Sequence, residues 1–99
     1  MGNKEINLIA CKSGKTFANK IFDELNKING VKAHIIKTKE VHFANTEIKT
    51  EILESIRGAK LFIIQDVVNK ETKFSVDENI MALKTAIDAI KIINTIESK

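Results

Sequence analysis

Short apolar blocks alternate along this chain with longer stretches in which apolar residues recur every three or four positions, a rhythm few folds accommodate. Ile6 to Ala10 has the length and character of a buried strand. After a polar turn at Cys11 to Gly14, Phe17, Ile21, Leu25 and Ile28 recur at helical spacing, with Ala18 and Phe22 beside them. Asn29-Gly30 is expected to end that helix, because glycine readily takes the left-handed cap conformation. Val31 to Lys37 reads as a second strand, and the segment after it as polar connection. Ile48, Thr50 and Ile52 then alternate with Lys49 and Glu51, the period of a half-exposed third strand. Leu61 to Ile64 is apolar at every position, the pattern of a strand at or near the centre of a covered sheet. A long polar loop, Asp66 to Asp77, leads to a last helix bearing Ile80, Leu83, Ile87, Ile90 and Ile93, with Asp77 placed to cap it.

Strands alternating with helices predict an α/β fold, a three-layer sandwich with a mainly parallel sheet. With 99 residues, positions 1–99 make a single domain with little margin of buried core. A strand should follow the last helix to complete a β-α-β unit, so the sheet is expected to be truncated or completed by another chain.

Composition removes several function classes. No apolar run approaches the roughly 20 residues that cross a bilayer, and the start lacks the order of a secretory signal. One cysteine makes no internal disulfide, which suits a cytoplasmic setting. The net charge of +3 comes from 16 basic residues interleaved with 13 acidic ones, not from a basic face. Lys32 to Lys39 holds three lysines among apolar residues, with no aromatic ring to stack a base. Neither a nucleic-acid nor a membrane partner is expected.

Ser13-Gly14-Lys15-Thr16 sits where a phosphate-binding loop would, after a strand and before a helix. That loop wraps backbone amides round phosphates and needs a glycine five positions before its Gly-Lys-Thr. Ile9 occupies that position, inside the strand. The segment therefore reads as a polar turn and a helix start. Cys11 reads as a small packed side chain. His34 lies in a strand, and His42 has no paired acid nearby in sequence; both read as structural or exposed, and no catalytic residue or metal ligand set is assigned.

Five further segments follow in order: Phe43-Ala44-Asn45-Thr46-Glu47, Glu54-Ser55-Ile56-Arg57-Gly58, Leu61-Phe62-Ile63-Ile64-Gln65, Asn79-Ile80-Met81-Ala82-Leu83 and Ile87-Asp88-Ala89. By their own chemistry, Phe43, Asn45 and Glu47 fit two readings. Phe43 could be core, with a solvated turn after it. Alternatively the ring offers a stacking face while the amide and carboxylate pair with a base.

The series resembles the N-terminal half of ribose-phosphate pyrophosphokinase (PRPP synthase), which reads F-x-[DN]-x-E, E-[NS]-[VI]-R-G, an apolar strand ending in Gln, and a helix D-N-[LI]-M-E-L continuing through D-A. The resemblance runs from Leu8 to about Ile93. It implies a phosphoribosyltransferase-like N-terminal domain of a homo-oligomeric transferase that moves pyrophosphate from ATP to ribose 5-phosphate with magnesium, for nucleotide biosynthesis. It further implies that Phe43, Asn45 and Glu47 form an adenine-binding loop reaching into a neighbouring subunit. The family's Arg-Gln nucleotide motif, metal-binding His, flexible basic loop and ribose 5-phosphate loop have no counterpart here. The chain alone is therefore expected to be inactive and to hold neither ATP nor Mg2+. Three departures stand out: Cys11 where the family has Gly, Ala82 where it has Glu, and a longer connection from Gln65 to Asn79. They leave a second reading open, a non-catalytic interaction or regulatory module of the same descent.

Overall fold

The computed structural model describes residues 4–45, 47–56 and 60–97, with side chains through Ile92. It contains β1 (Lys4–Ala10), a 3-10 turn (Lys12–Gly14), α1 (Lys15–Leu25), β2 (Val31–Ile35), β3 (Thr38–His42), β4 (Ile48–Ile52), β5 (Lys60–Ile64) and α2 (Val76–Glu97). Thr46, Arg57, Gly58 and the side chain of Ile93, all named above, lie outside the described residues.

The fold is α/β, with a three-stranded parallel sheet of order β2-β1-β5. Leu8 pairs with Ile35 on one side and Phe62 on the other. Successive residues of a strand point to opposite faces, and Leu8 and Ile9 are each 1% exposed, so β1 is covered above and below. β1, not Leu61–Ile64, is thus the central strand. β5 is an outer strand among the described residues: Leu61 and Ile63 pack into the cluster of Ile9, Ile36 and Ile90, while Phe62 stays half exposed. An apolar strand pattern reports burial on folding, not the position of the strand in the sheet.

The second strand ends at Ile35, and the stretch taken for polar connection is itself a strand. β3 pairs antiparallel with β4, Thr38 opposite Ile52 and His42 opposite Ile48. Its alternation was hidden because the inward residue is Glu40, a carboxylate only 9% exposed. Ile36 N–H donating to Leu8 O (2.8 Å) ties the entry of this hairpin to the main sheet, and Leu53 N–H donating to Lys37 O (2.8 Å) closes the hairpin's base.

α1 packs on β1 and β2 and is shorter than its periodicity predicts. It stops at Leu25, and Ile28 lies outside it, 53% exposed. Gly30 does adopt a positive φ of 81°, but as the lead into β2 and not as the helix cap. Asn26 takes over at that end: its Oδ1 accepts the Ala33 N–H at 2.9 Å, occupying a donor on β2.

α2 packs on β4 and β5. Its cap is Ser75, not Asp77. Ser75 Oγ accepts the Glu78 N–H (3.0 Å) and Glu78 Oε1 receives the Ser75 N–H (3.3 Å), a reciprocal capping box. Asp77 falls in the first turn, where a carboxylate complements the helix dipole. The buried face carries Asn79, Ala82, Ala86 and Ile90, whereas Ile80 and Ile87 face outward. Two alanines and Ile90 thus make the apolar part of the contact, and the helix stripe read from sequence is buried only in part. Ala82 is 0% exposed. No described helix is long and apolar enough to cross a membrane.

Candidate functional site

The β3–β4 hairpin places all three residues singled out in sequence at its tip. Phe43 N–H donates to Glu47 O at 2.8 Å, closing the turn. Inside it, Asn45 Oδ1 accepts the Glu47 N–H at 3.4 Å, the local bond that makes asparagine a frequent turn residue. Phe43 is 47% exposed, and Asn45 and Glu47 are exposed too. The segment is therefore the tip of a hairpin, not a plain loop between the second and third strands, and Phe43 is not a core residue. A phenylalanine left half in water forgoes much of the roughly 1.5–3 kcal/mol that full burial provides.

Directly below the tip, His42 has two acid partners where its sequence neighbourhood suggested none. Its Nε2 lies 2.5 Å from Glu40 Oε2, and its Nδ1 lies 3.4 Å from Glu78 Oε2. The ring stacks on Phe74, centroids 3.8 Å apart and planes 5° from parallel. Glu40 is held in turn by the backbone N–H of Lys12, 3.1 Å from Oε1. The signal that would have found Glu78, and that the choice of Asp77 as cap passed over, is the capping-box spacing Ser75-x-x-Glu78. His34, the other histidine, is largely exposed and sits 2.8 Å from Glu54 Oε1. The Lys37 N–H and then His34 hold the Glu54 carboxyl below its ordinary range.

The carboxyl ends of β1 and β5 form a second concave region, at the place where chain direction across the sheet reverses. Ser13 and Asn79 are both 1% exposed there. Ser13 Oγ donates to Asn79 Oδ1 (2.6 Å) and lies 2.7 Å from Thr72 Oγ1. Asn79 Nδ2 donates to Val67 O (3.0 Å), Asn69 Nδ2 to Ser13 O (2.9 Å), and Gln65 Nε2 to Asn79 O (2.9 Å). This network fastens the long loop after β5 onto the turn after β1. Outside it lies a cleft of about 410 Å³ bordered by Thr16, Phe17, Lys20, Asp66, Asn69 and Glu71.

Gly14 explains the phosphate-loop look-alike. A Cβ there would stand 2.5 Å from Ile64 O and 2.8 Å from Gln65 Cα, so the glycine lets the start of α1 touch the end of β5. No cradle of amides forms. Cys11 is 2% exposed, and burial, reinforced by the Glu40 charge, pushes its thiol up to about 12. It is a packed, protonated thiol and a poor nucleophile. Among the described residues, no group of three or more His, Cys, Asp or Glu is placed to hold a metal ion.

Comparison with known proteins places this geometry in context. Residues 6–96 match the model of a family described as the N-terminal domain of ribose phosphate pyrophosphokinase. A ribose-phosphate pyrophosphokinase of Corynebacterium ammoniagenes is 34% identical over 89 residues, which cover 90% of this chain and 25% of that protein. One from Bacillus cereus gives the same figures. Ribose-phosphate pyrophosphokinase 1 of Listeria monocytogenes is 40% identical over 55 residues, 56% of this chain and 16% of the relative. The chain thus spans about a quarter of the length of the first two relatives. No solved structure matches.

Proposed function

Because this chain belongs to the family of N-terminal domains of ribose phosphate pyrophosphokinase, we propose that it serves as the adenine-binding and subunit-contact portion of such an enzyme. The complete enzyme would transfer pyrophosphate from ATP to ribose 5-phosphate, in the cytoplasm. The observation that carries the adenine role is the half-exposed ring of Phe43, on a hydrogen-bonded turn beside the exposed amide of Asn45 and carboxylate of Glu47. A ring face stacks on a purine, and an amide and a carboxylate match its amino group and ring nitrogens. The turn closes the end of the hairpin opposite the Ile36 N–H bond to Leu8 O, as suits a loop serving a neighbouring subunit.

The described residues fit neither a magnesium ion nor a clamp for the transferred group, so no chemical step is assigned to them. Those parts would come from the rest of the enzyme, and the chain alone should make no product. Association is supported separately. β5 pairs on one side only among the described residues, and Phe62 on β5 and Ile80, Met81 and Ile87 on α2 are exposed apolar side chains. The open edge and these side chains suit a homo-oligomer, and they equally support the second reading, a non-catalytic module that docks on a full-length enzyme.

The deciding experiment is a chimera in which residues 6–96 replace the matching segment of a full-length relative. Phe43→Ala should raise KM for ATP about 5- to 150-fold, the loss of one stacking contact worth roughly 1–3 kcal/mol, with assembly and melting temperature unchanged. An unchanged KM in a folded oligomer would remove the adenine role.

A further inference from the structure

The two sheets share no strand, so backbone pairing does not fix where the hairpin tip points. The hairpin's base is fastened through the bonds from Ile36 and Leu53, at the end opposite the turn. At the turn end the contacts converge on His42, the last residue of β3 and the one immediately before Phe43. Its side chain is only 10% exposed. Glu40 approaches it from β3 itself, Glu78 from the first turn of α2, and the ring of Phe74 from the loop between β5 and α2. Phe74 reaches that position behind Lys73, whose φ of 62° is rare for a residue with a Cβ. Glu78 is fixed by the capping box, and Glu40 by the Lys12 N–H.

We propose that His42 is a positioning residue for the nucleotide-facing turn: it braces Phe43, Asn45 and Glu47 against the start of α2. What the turn contacts rests on the adenine reading above; the brace is a property of this chain alone. The residue works through its ring. Protonated on both nitrogens, it donates to Glu40 and Glu78 together; with one N–H it can donate to only one of them. Lys12 and Lys39 border the same groove.

The test is nuclear magnetic resonance on the 99-residue chain, without nucleotide. In the wild type the amides of Ala44, Asn45 and Glu47 should have the order parameters of rigid backbone, about 0.85. In His42→Gln the order parameters of those amides should fall below about 0.6, and the shifts of β1 and β2 should stay in place. His34→Gln should change none of this. If the turn keeps its order in a folded His42→Gln, the brace is refuted. Should His42→Gln not fold, Phe74→Leu carries the test: a loosened turn with intact β1 and β2 shifts supports the brace, and an unchanged turn refutes it. A well-ordered turn in a chimera whose ATP affinity ignores Phe43→Ala would refute the adenine reading and leave the brace standing.

Discussion

Gly14→Ala separates a glycine kept for ligand contact from one kept for packing. In the structure the new methyl would lie 2.5 Å from Ile64 O and 2.8 Å from both Ile64 C and Gln65 Cα. All three are backbone atoms, so no side-chain rotation relieves the overlap. The start of α1 must lift off β5 or the β1–β5 seam must open. Overpacking of this kind costs about 1–3 kcal/mol. The bond from Cys11 N–H to Ile64 O, 3.0 Å long, ties the same seam and adds about 1 kcal/mol if it breaks. A loss of roughly 2–4 kcal/mol follows, a large share of the roughly 5–10 kcal/mol holding a domain of this size. At about 4–8 °C per kcal/mol the melting midpoint should fall by roughly 10–30 °C. Circular dichroism melts of ligand-free protein measure it directly. A midpoint within about 2 °C of wild type would refute the packing account and reopen the phosphate-loop interpretation of Ser13 to Thr16.

Three further perturbations have expected outcomes. Asn79→Ala takes the donor from the Val67 carbonyl (3.0 Å) and leaves the Ser13 hydroxyl only Thr72 as side-chain partner (2.7 Å); urea titration should show a loss of about 1–3 kcal/mol. Lys73→Gly relieves a φ of 62°, and after the entropy of a freer unfolded chain is subtracted it should gain about 0.5–1 kcal/mol in the same assay. Cys11 is raised in the folded state from 9.0 to about 12, so its contribution is whole below pH 9 and is lost as pH climbs toward 12. Stability of wild type relative to Cys11→Ala should therefore decline by up to about 1.4 kcal/mol per pH unit across that window, and parallel stability curves would contradict this.

The sequence by itself determined the class of fold and the order of its parts. Ile6–Ala10, the stripe through Ile21 and Leu25, Leu61–Ile64 and the helix after residue 75 are legible because local periodicity records which faces become dry. The five motif segments are legible because residue identity at fixed spacing survives without any knowledge of contacts. Strand order is not a local property: β5 is as apolar as a central strand, yet pairing places β1 in the middle. β3 went unread because its inward position is Glu40, whose burial makes sense only once the Lys12 N–H, 28 residues away, meets one oxygen and His42, on the same strand, meets the other. The same holds for Ser13 with Asn79, 66 residues apart, and for His42 with Glu78, 36 apart. Buried polar groups are satisfied by partners chosen in three dimensions. The sequence could name Phe43, Asn45 and Glu47, but only the tertiary structure decided that they stand on an exposed turn and what braces it there.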